Sequence, residues 1–302
     1  MFAAILTTVF YSLSAIFANR SIRAVGATAS NLGRLCVALV LLGIYAHLLG
    51  GGFAGAGRDW FILSGAIGIG LGDLASFGAL PLLGSRLTVL MTQCVATPIA
   101  MLMEWLWLGT TLRTTQIFWG FMILAGVVVA LLPSKKNPPR VPVKAAGFIF
   151  GFLAAAGQGI GAVISRKANS VIQSAGEPID GITAAYHRVI GGLAITLAFF
   201  AVYALLKQRA RASAPASSNA VRTWKRFLWI PANALCGAVI GVSCYQWSLA
   251  TTPSGIVLPI VATTPLMIVP LSYWLEGDRP TRRSFIGGAI AVAGVVALTF
   301  AR

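Results

Sequence analysis

The sequence predicts an all-α integral membrane protein with ten transmembrane helices, arranged as two inverted five-helix repeats. Hydrophobic residues make up 57% of the 302 residues and charged residues only 10%, whereas a soluble domain has about 25% charged residues. Apolar runs long enough to cross a bilayer, about 20 residues at 1.5 Å per residue, recur ten times. Two of these runs also share a sequence pattern, which indicates an internal duplication.

The ten predicted helices are joined by short connections, apart from two longer segments. The helices are residues 2–19, 29–49, 60–80, 87–108, 115–132, 145–165, 182–205, 227–250, 255–275 and 284–301. Residues 134–144 are rich in Pro and Lys and form the natural linker between a first repeat, residues 1–133, and a second repeat, residues 145–302. The basic composition of residues 207–226 predicts that this segment is a cytoplasmic loop.

The net charge of +16 would also suit a nucleic-acid-binding protein, but its distribution argues against that function. The basic residues gather between the apolar runs, where the positive-inside rule puts them. With the N-terminus outside, 16 of the 23 Lys and Arg residues fall in inside loops and 5 in outside loops. We therefore expect both termini outside, in a bacterial inner membrane.

The duplication is clearest in residues 84–109 and 252–277. Both segments carry Val-Ala-Thr shortly before a proline, Pro98 in the first and Pro265 in the second, about 167 residues apart. Because each repeat has five helices, an odd number, the second would enter the membrane upside down relative to the first. Proline-interrupted helices in corresponding places of two such repeats are typical of a transport site.

The fourth predicted helix carries a stripe of polar residues. Arg86, Gln93, Thr97 and Glu104 follow one another at intervals of 7, 4 and 7 residues, which places them on one face of a helix. A charge inside a bilayer is costly, so this face should meet protein or water. We interpret Gln93, Thr97 and Glu104 as part of a substrate or proton pathway, and Arg86 as a structural charge at a membrane interface. In the alternative, Glu104 is structural as well and reaches the opposite interface.

Three further charges lie inside predicted helices. Asp73 lies in the middle of the third, which suggests a proton carrier or a cation contact, unless it forms a structural pair with Arg34 or Arg188. The two arginines occupy equivalent places in the two repeats, which favours a shared structural role. Arg188 has the stronger functional case, because Tyr186 and His187 precede it and the three together suit a carboxylate.

The remaining candidates suit a binding site for a small organic molecule. Gln158 in the sixth helix, with Tyr245 and Gln246 in the eighth, would line it with polar and aromatic groups. Motifs typical of hydrolases, metalloproteases or nucleotide-binding enzymes are missing from the sequence. The four cysteines lie in apolar runs without CxxC spacing. We therefore expect neither an enzyme nor a metal or other cofactor.

Four runs carry a resemblance to a known family. They are ALPLLGSRLTVLMTQCVATP and GFMILAGV, with their counterparts SLATTPSGIVLPIVATTP and GGAIAVAGV in the second repeat. The pattern resembles the drug/metabolite transporter superfamily, in particular EamA-type exporters, over essentially the whole chain. The resemblance implies a central cavity lined mainly by helices 1, 3, 4, 6, 8 and 9.

The chain departs from this family in three ways. The Gly-Glu pair that often closes the fourth and ninth helices is Gly-Thr at 109–110 and Gly-Asp at 277–278. The frequent Trp of the first helix is Tyr11, and its counterpart in the sixth helix is Gln158. Many relatives look as if both termini are cytoplasmic, whereas the charges here predict the opposite.

These observations predict an exporter of small metabolites, such as amino acids or related amphiphiles, that works by alternating access. Asp73 and Glu104 are the candidate couplers, with protons as a candidate coupling ion. The candidate polar contacts are Gln93, Thr97, Gln158 and Gln246. A lipid flippase or a channel-like facilitator with the same fold is the alternative, and both a monomer and a homodimer remain open.

Overall fold

The structure is a computed structural model that describes residues 1–131, 142–177, 179–210, 228–268 and 282–301. The regular elements in these ranges are ten helices, as expected. We number them α1 to α10: Phe2–Val25, Ala27–Leu48, Arg58–Gly84, Leu87–Leu108, Thr114–Leu131, Ala145–Ala175, Gly181–Ala210, Trp229–Thr251, Ser254–Ile268 and Arg282–Phe300. In the described part of the chain, nine are long and apolar enough to cross a membrane, and α9 is shorter. Most of the predicted linker and of the 207–226 loop lies outside the described residues.

The boundary between α3 and α4 is a break within one continuous helical path. Gly84 has φ 76° and ψ 164°, a backbone conformation that glycine adopts and other residues rarely do. Helical residues flank it on both sides, so α3 and α4 meet there without an intervening loop. The second repeat has its break at Thr252 and Pro253, between α8 and α9.

Two helices contain a wider, π-helical segment. Ala66–Leu71 lies in α3 and Ala234–Gly241 lies in α8, in corresponding places of the two predicted repeats. Such segments are rare and often occur at functional sites. This correspondence fits the predicted duplication, whereas the inverted relation of the repeats stays a prediction.

Glycines bring α3 into close contact with helices of the second predicted repeat. A Cβ atom built on Gly157 would lie 2.8 Å from Cα of Gly72, and one on Gly161 would lie 3.0 Å from Cα of Gly68, so α6 and α3 pack backbone to backbone. Lipid provides no hydrophobic drive between helices, and such small residues let them associate through close packing.

The contact between α3 and α7 is closer still. A Cβ on Gly65 would overlap the carbonyl group of Arg188, and a Cβ on Gly191 would overlap the carbonyl oxygen of Ile62. Only hydrogen fits at these two positions. The backbone of Arg188 is therefore held directly against α3.

Helices α5 and α10 form a pair of their own. A Cβ on Gly126 would lie 2.6 Å from the carbonyl oxygen of Gly287, so these helices also touch through their backbones. Neither helix contributes a residue to the central cavity described below. The other eight helices position that cavity.

Candidate substrate cavity

A cavity of about 370 Å³ lies where α1 to α4 and α6 to α9 converge. All six helices that the family resemblance implied contribute to it, and α2 and α7 add an arginine each. Its polar and aromatic lining residues are Tyr11, Ser14, Arg34, Asp73, Gln93, Gln158, Arg188, Tyr245 and Thr264. The rest of the lining is mostly aliphatic, so the cavity suits a small organic molecule.

Asp73 and Arg34 form an ion pair at the edge of this cavity. Nη2 of Arg34 donates to Oδ2 of Asp73 at 2.6 Å, and its Nε donates to Oδ1 of Asn31 at 2.8 Å. The side chains of Arg34 and Asp73 are 22% and 21% exposed. Arg34 therefore neutralises Asp73, which is the only acidic residue among the cavity-lining residues that the structure describes.

Arg188 reaches the cavity from α7 and is 3% exposed. Among the described residues, its Nε has no hydrogen-bond partner and its guanidinium group forms no ion pair. Its Cζ lies 5.6 Å from the ring centroid of Tyr245, a cation–π contact. Because Arg34 and Asp73 compensate each other, the charged residues lining the cavity carry one net positive charge.

Two tyrosines and two amides complete the polar surface. The rings of Tyr11 and Tyr245 lie 6.4 Å apart between centroids and are tilted by 42°. Tyr11 also packs against Gly241, where a Cβ would lie 2.7 Å from its ring. Gln93 from α4 and Gln158 from α6 face the same space.

Four other candidates do not line the cavity, and three of them, Thr97, His187 and Gln246, are buried. Thr97 and Gln246 are each 1% exposed, and neither the Thr97 hydroxyl nor the Gln246 amide has a partner among the described residues. His187 is fully buried, and its Nε2 lies 3.1 Å from the carbonyl oxygen of Gly52, which accepts a hydrogen bond from it. The hydroxyl of Tyr186 lies 3.3 Å from Nε2 of His47. The expected Tyr186–His187–Arg188 cluster is therefore divided, and only Arg188 faces the cavity.

Glu104 also lies away from the cavity, buried at the end of α4. Its Oε1 accepts from Nε of Arg166 at 3.1 Å, and its Oε2 accepts from the backbone N–H of Ser254 at 2.7 Å and from the Ser254 hydroxyl. Both carboxylate oxygens are thus occupied by protein donors. The side chain of Arg86, the other end of the predicted stripe, lies outside the described residues.

Sequence reasoning missed three residues that the structure brings into play. Ser14 lines the cavity and donates to Oδ1 of Asn233 at 2.7 Å, and Thr264 lines the cavity as well. Ser14 lies three residues after Tyr11, so helical spacing would have pointed to it. Arg166, the partner of Glu104, falls in a loop of the predicted topology.

Comparison of the sequence with models of protein families decides which family the chain belongs to. The model of the EamA-like transporter family matches residues 145–300, slightly more than half of the chain. The chain belongs to the EamA-like transporter family. As an EamA-like protein it is an integral membrane transporter of small solutes.

The crystal structure of another protein shows the same fold. It has 16% sequence identity and a TM-score of 0.75, and the match covers 99% of this chain and 96% of that chain. Comparison with curated proteins finds no match. The fold and the family of this EamA-like chain are therefore shown, and its substrate has to be inferred from its own residues.

Proposed function

We propose that this EamA-like protein is a secondary transporter that exports small metabolites, such as amino acids, by alternating access. The observation that carries the proposal is the cavity itself, which contains an ion pair, a further arginine, two amides and two tyrosines at the meeting point of eight apolar helices. Helices of both predicted repeats line it, as an inverted-repeat transporter requires. The family match over residues 145–300 supports the proposed division into repeats.

Asp73 is the proposed coupling residue. Its carboxylate is already neutralised by Arg34 at 2.6 Å, so a proton or a cationic substrate group that binds Asp73 competes with that arginine. One carboxylate that serves two competing partners can link ion binding to a change of shape. Gln93 and Gln158 are the proposed polar contacts for the substrate.

Glu104 is proposed as an anchor instead of a coupler. Its two oxygens bind Arg166 and Ser254, and it does not line the cavity. For the same reason Thr97 and Gln246 are less direct candidates than Gln93 and Gln158, because their side chains are buried elsewhere.

We also propose a bacterial inner membrane as the location, with both termini outside; the orientation rests on the distribution of Lys and Arg alone. The test is uptake by proteoliposomes across a panel of amino acids and small metabolites, with and without a pH gradient. Saturable, competable uptake would support a carrier, and acceleration by the gradient would support proton coupling. Unsaturable flux would indicate a facilitator, and headgroup-dependent lipid movement without solute uptake would indicate a flippase.

A further inference from the structure

Arg188 is a buried charge whose Nε has no hydrogen-bond partner and whose guanidinium group has no ion pair among the residues that the structure describes. Arg188 is 3% exposed. Asp73, the only acidic residue among the described residues that line the cavity, forms its ion pair with Arg34 at 2.6 Å. An isolated charge transferred from water to an apolar interior costs several kcal/mol unless it is paired and hydrogen-bonded. A guanidinium held in this way, with Nε unpartnered among the described residues, is positioned to accept an anion from outside the protein.

The packing of α3 leaves room for this guanidinium group. A Cβ on Gly68 would lie 2.9 Å from Nη2 of Arg188, so glycine at that position provides the space that the group occupies. The backbone of Arg188 is fixed by the contact with Gly65, and its side chain lies near the Tyr245 ring. The contacts with Gly65 and with the Tyr245 ring thus fix the position of the Arg188 charge.

We propose that Arg188 binds a carboxylate group of the transported solute, so that the substrates are small monocarboxylates, zwitterionic amino acids included, and not cations. This inference rests on the proposed transport function and deepens it. A guanidinium group presents a planar pair of donors that matches a carboxylate. One carboxylate would also neutralise the single net positive charge of the cavity lining, whereas a phosphate monoester, with a charge of about −1.5 to −2 at pH 7, would overcompensate it.

The rest of the cavity indicates the body of the solute. The Tyr245 ring lies beside Arg188, the Tyr11 ring lies next to Tyr245, and Leu258, Val261 and Ile268 of α9 add aliphatic surface. The volume of about 370 Å³ is near the lower end of the usual range for ligand pockets, about 300–1,000 Å³. The solute is therefore small, with a carboxylate at one end and an apolar or weakly polar body.

The experiment uses the purified full chain and matched sets of solutes with the bodies of leucine, phenylalanine and glutamine. Each set contains the amino acid, the acid without its amino group, the amino acid amide and the amine without its carboxyl group, and inorganic phosphate is an added probe. Binding is measured as thermal stabilisation in detergent, and transport as proteoliposome uptake. We expect both carboxylates of at least one set to bind, and the amide and the amine to bind at least about tenfold more weakly.

Substitution of Arg188 connects the result to the residue. Arg188→Gln should lower carboxylate affinity by about 10- to 100-fold, the loss expected for charge-assisted hydrogen bonds, and Arg188→Lys should lose less. Without solute, Arg188→Gln should melt at the same temperature or higher, because it removes a buried charge that has no ion pair among the described residues. The matched control is Arg58→Gln, since Arg58 pairs with Asp59 away from the cavity and should leave carboxylate binding unchanged.

The possible outcomes separate this inference from the transport function. Amides, amines or phosphate that bind as well as the carboxylates, or an Arg188→Gln variant that keeps full carboxylate affinity, would overturn the inference. So would a panel in which no carboxylate binds. Saturable uptake of amines alone would overturn it and leave the transporter in place. Carboxylates that bind through Arg188 without any saturable uptake would instead contradict the transport function.

Discussion

The carboxylate of Glu104 and the guanidinium of Arg166 form an ion pair that joins three parts of the chain. Nε of Arg166 in α6 donates to Glu104 of α4 at 3.1 Å, and its Nη1 donates to the carbonyl oxygen of Leu249 at 2.7 Å. The same Glu104 accepts from the backbone N–H of Ser254, the first residue of α9. The pair therefore spans the break between α8 and α9.

We expect Glu104→Gln to destabilise the protein. The change leaves the Arg166 charge without its partner, and loss of one member of a buried pair costs about 3–5 kcal/mol. The lower figure is the better guide, because the Arg166 side chain is 20% exposed. The melting temperature of the purified protein should fall clearly, and Arg166→Gln should have a similar effect.

The double variant of this pair provides the decisive comparison. With both charges removed, the loss should be smaller than the sum of the two single losses, because no uncompensated charge remains. Asp59→Asn is the control, since Asp59 is 79% exposed and its pair with Arg58 should matter little. Additive losses would contradict a direct interaction.

A second prediction concerns coupling. Asp73→Asn should transport substrate at a rate that a pH gradient no longer changes. The side-chain amide of Asn neither takes up nor releases a proton near neutral pH. The fold should persist, since Arg34 keeps its bond to Asn31 and the new amide oxygen would still offer it an acceptor. The measurement is the ratio of uptake rates with and without the gradient, with Asp59→Asn as control. An unchanged ratio in the Asp73 variant would exclude Asp73 as the coupler.

The glycine contacts give a third prediction. Gly65→Ala and Gly191→Ala should each impair folding, because the added methyl group meets backbone atoms that cannot rotate away. Overpacking usually costs about 1–3 kcal/mol, and these sites should be at or above that range. Size-exclusion profiles and melting temperatures measure the effect.

Gly288→Ala is the matched control for these variants. It is also a glycine within a helix, yet a Cβ there would meet nothing within 4 Å. Alanine should preserve stability or raise it by up to about 1 kcal/mol through helix propensity. Equal behaviour of all three variants would argue against the close contact between α3 and α7.

The predicted orientation can be tested with single cysteines in a background without the four native ones. Ser218→Cys lies in the predicted basic loop 207–226 and should be protected from an impermeant thiol reagent in intact cells. Ala54→Cys, in the exposed connection between α2 and α3, should react. The reverse labelling pattern would place both termini inside.

The helices were largely predictable, because each needs a long apolar run and the sequence contains ten. The end of α6 was wrong, predicted at residue 165 and found at Ala175. The charges of Arg166 and Lys167 suggested a loop, but Glu104, 62 residues earlier in the chain, compensates Arg166 within the helix. A hydropathy pattern is local and cannot show such a partner.

The cavity was only partly predictable for a similar reason. Tyr11, Asp73, Gln93, Gln158 and Tyr245 reach it, as a polar group inside an apolar helix suggests, although their roles in transport stay predictions. Gln246, the next residue after Tyr245, faces elsewhere. Consecutive residues of an α-helix point about 100° apart, and apolarity alone does not show which of two adjacent polar residues faces a cavity.

The contact of Gly65 with Arg188 has a consequence for the mechanics of the protein. It joins α3 of the first predicted repeat to α7 of the second, with no room even for a methyl group. If the two predicted repeats moved as whole bodies, this contact would have to shear, so the predicted repeats are not expected to be the units that move. We expect each moving unit to contain helices of both predicted repeats, and Arg188 to move together with α3.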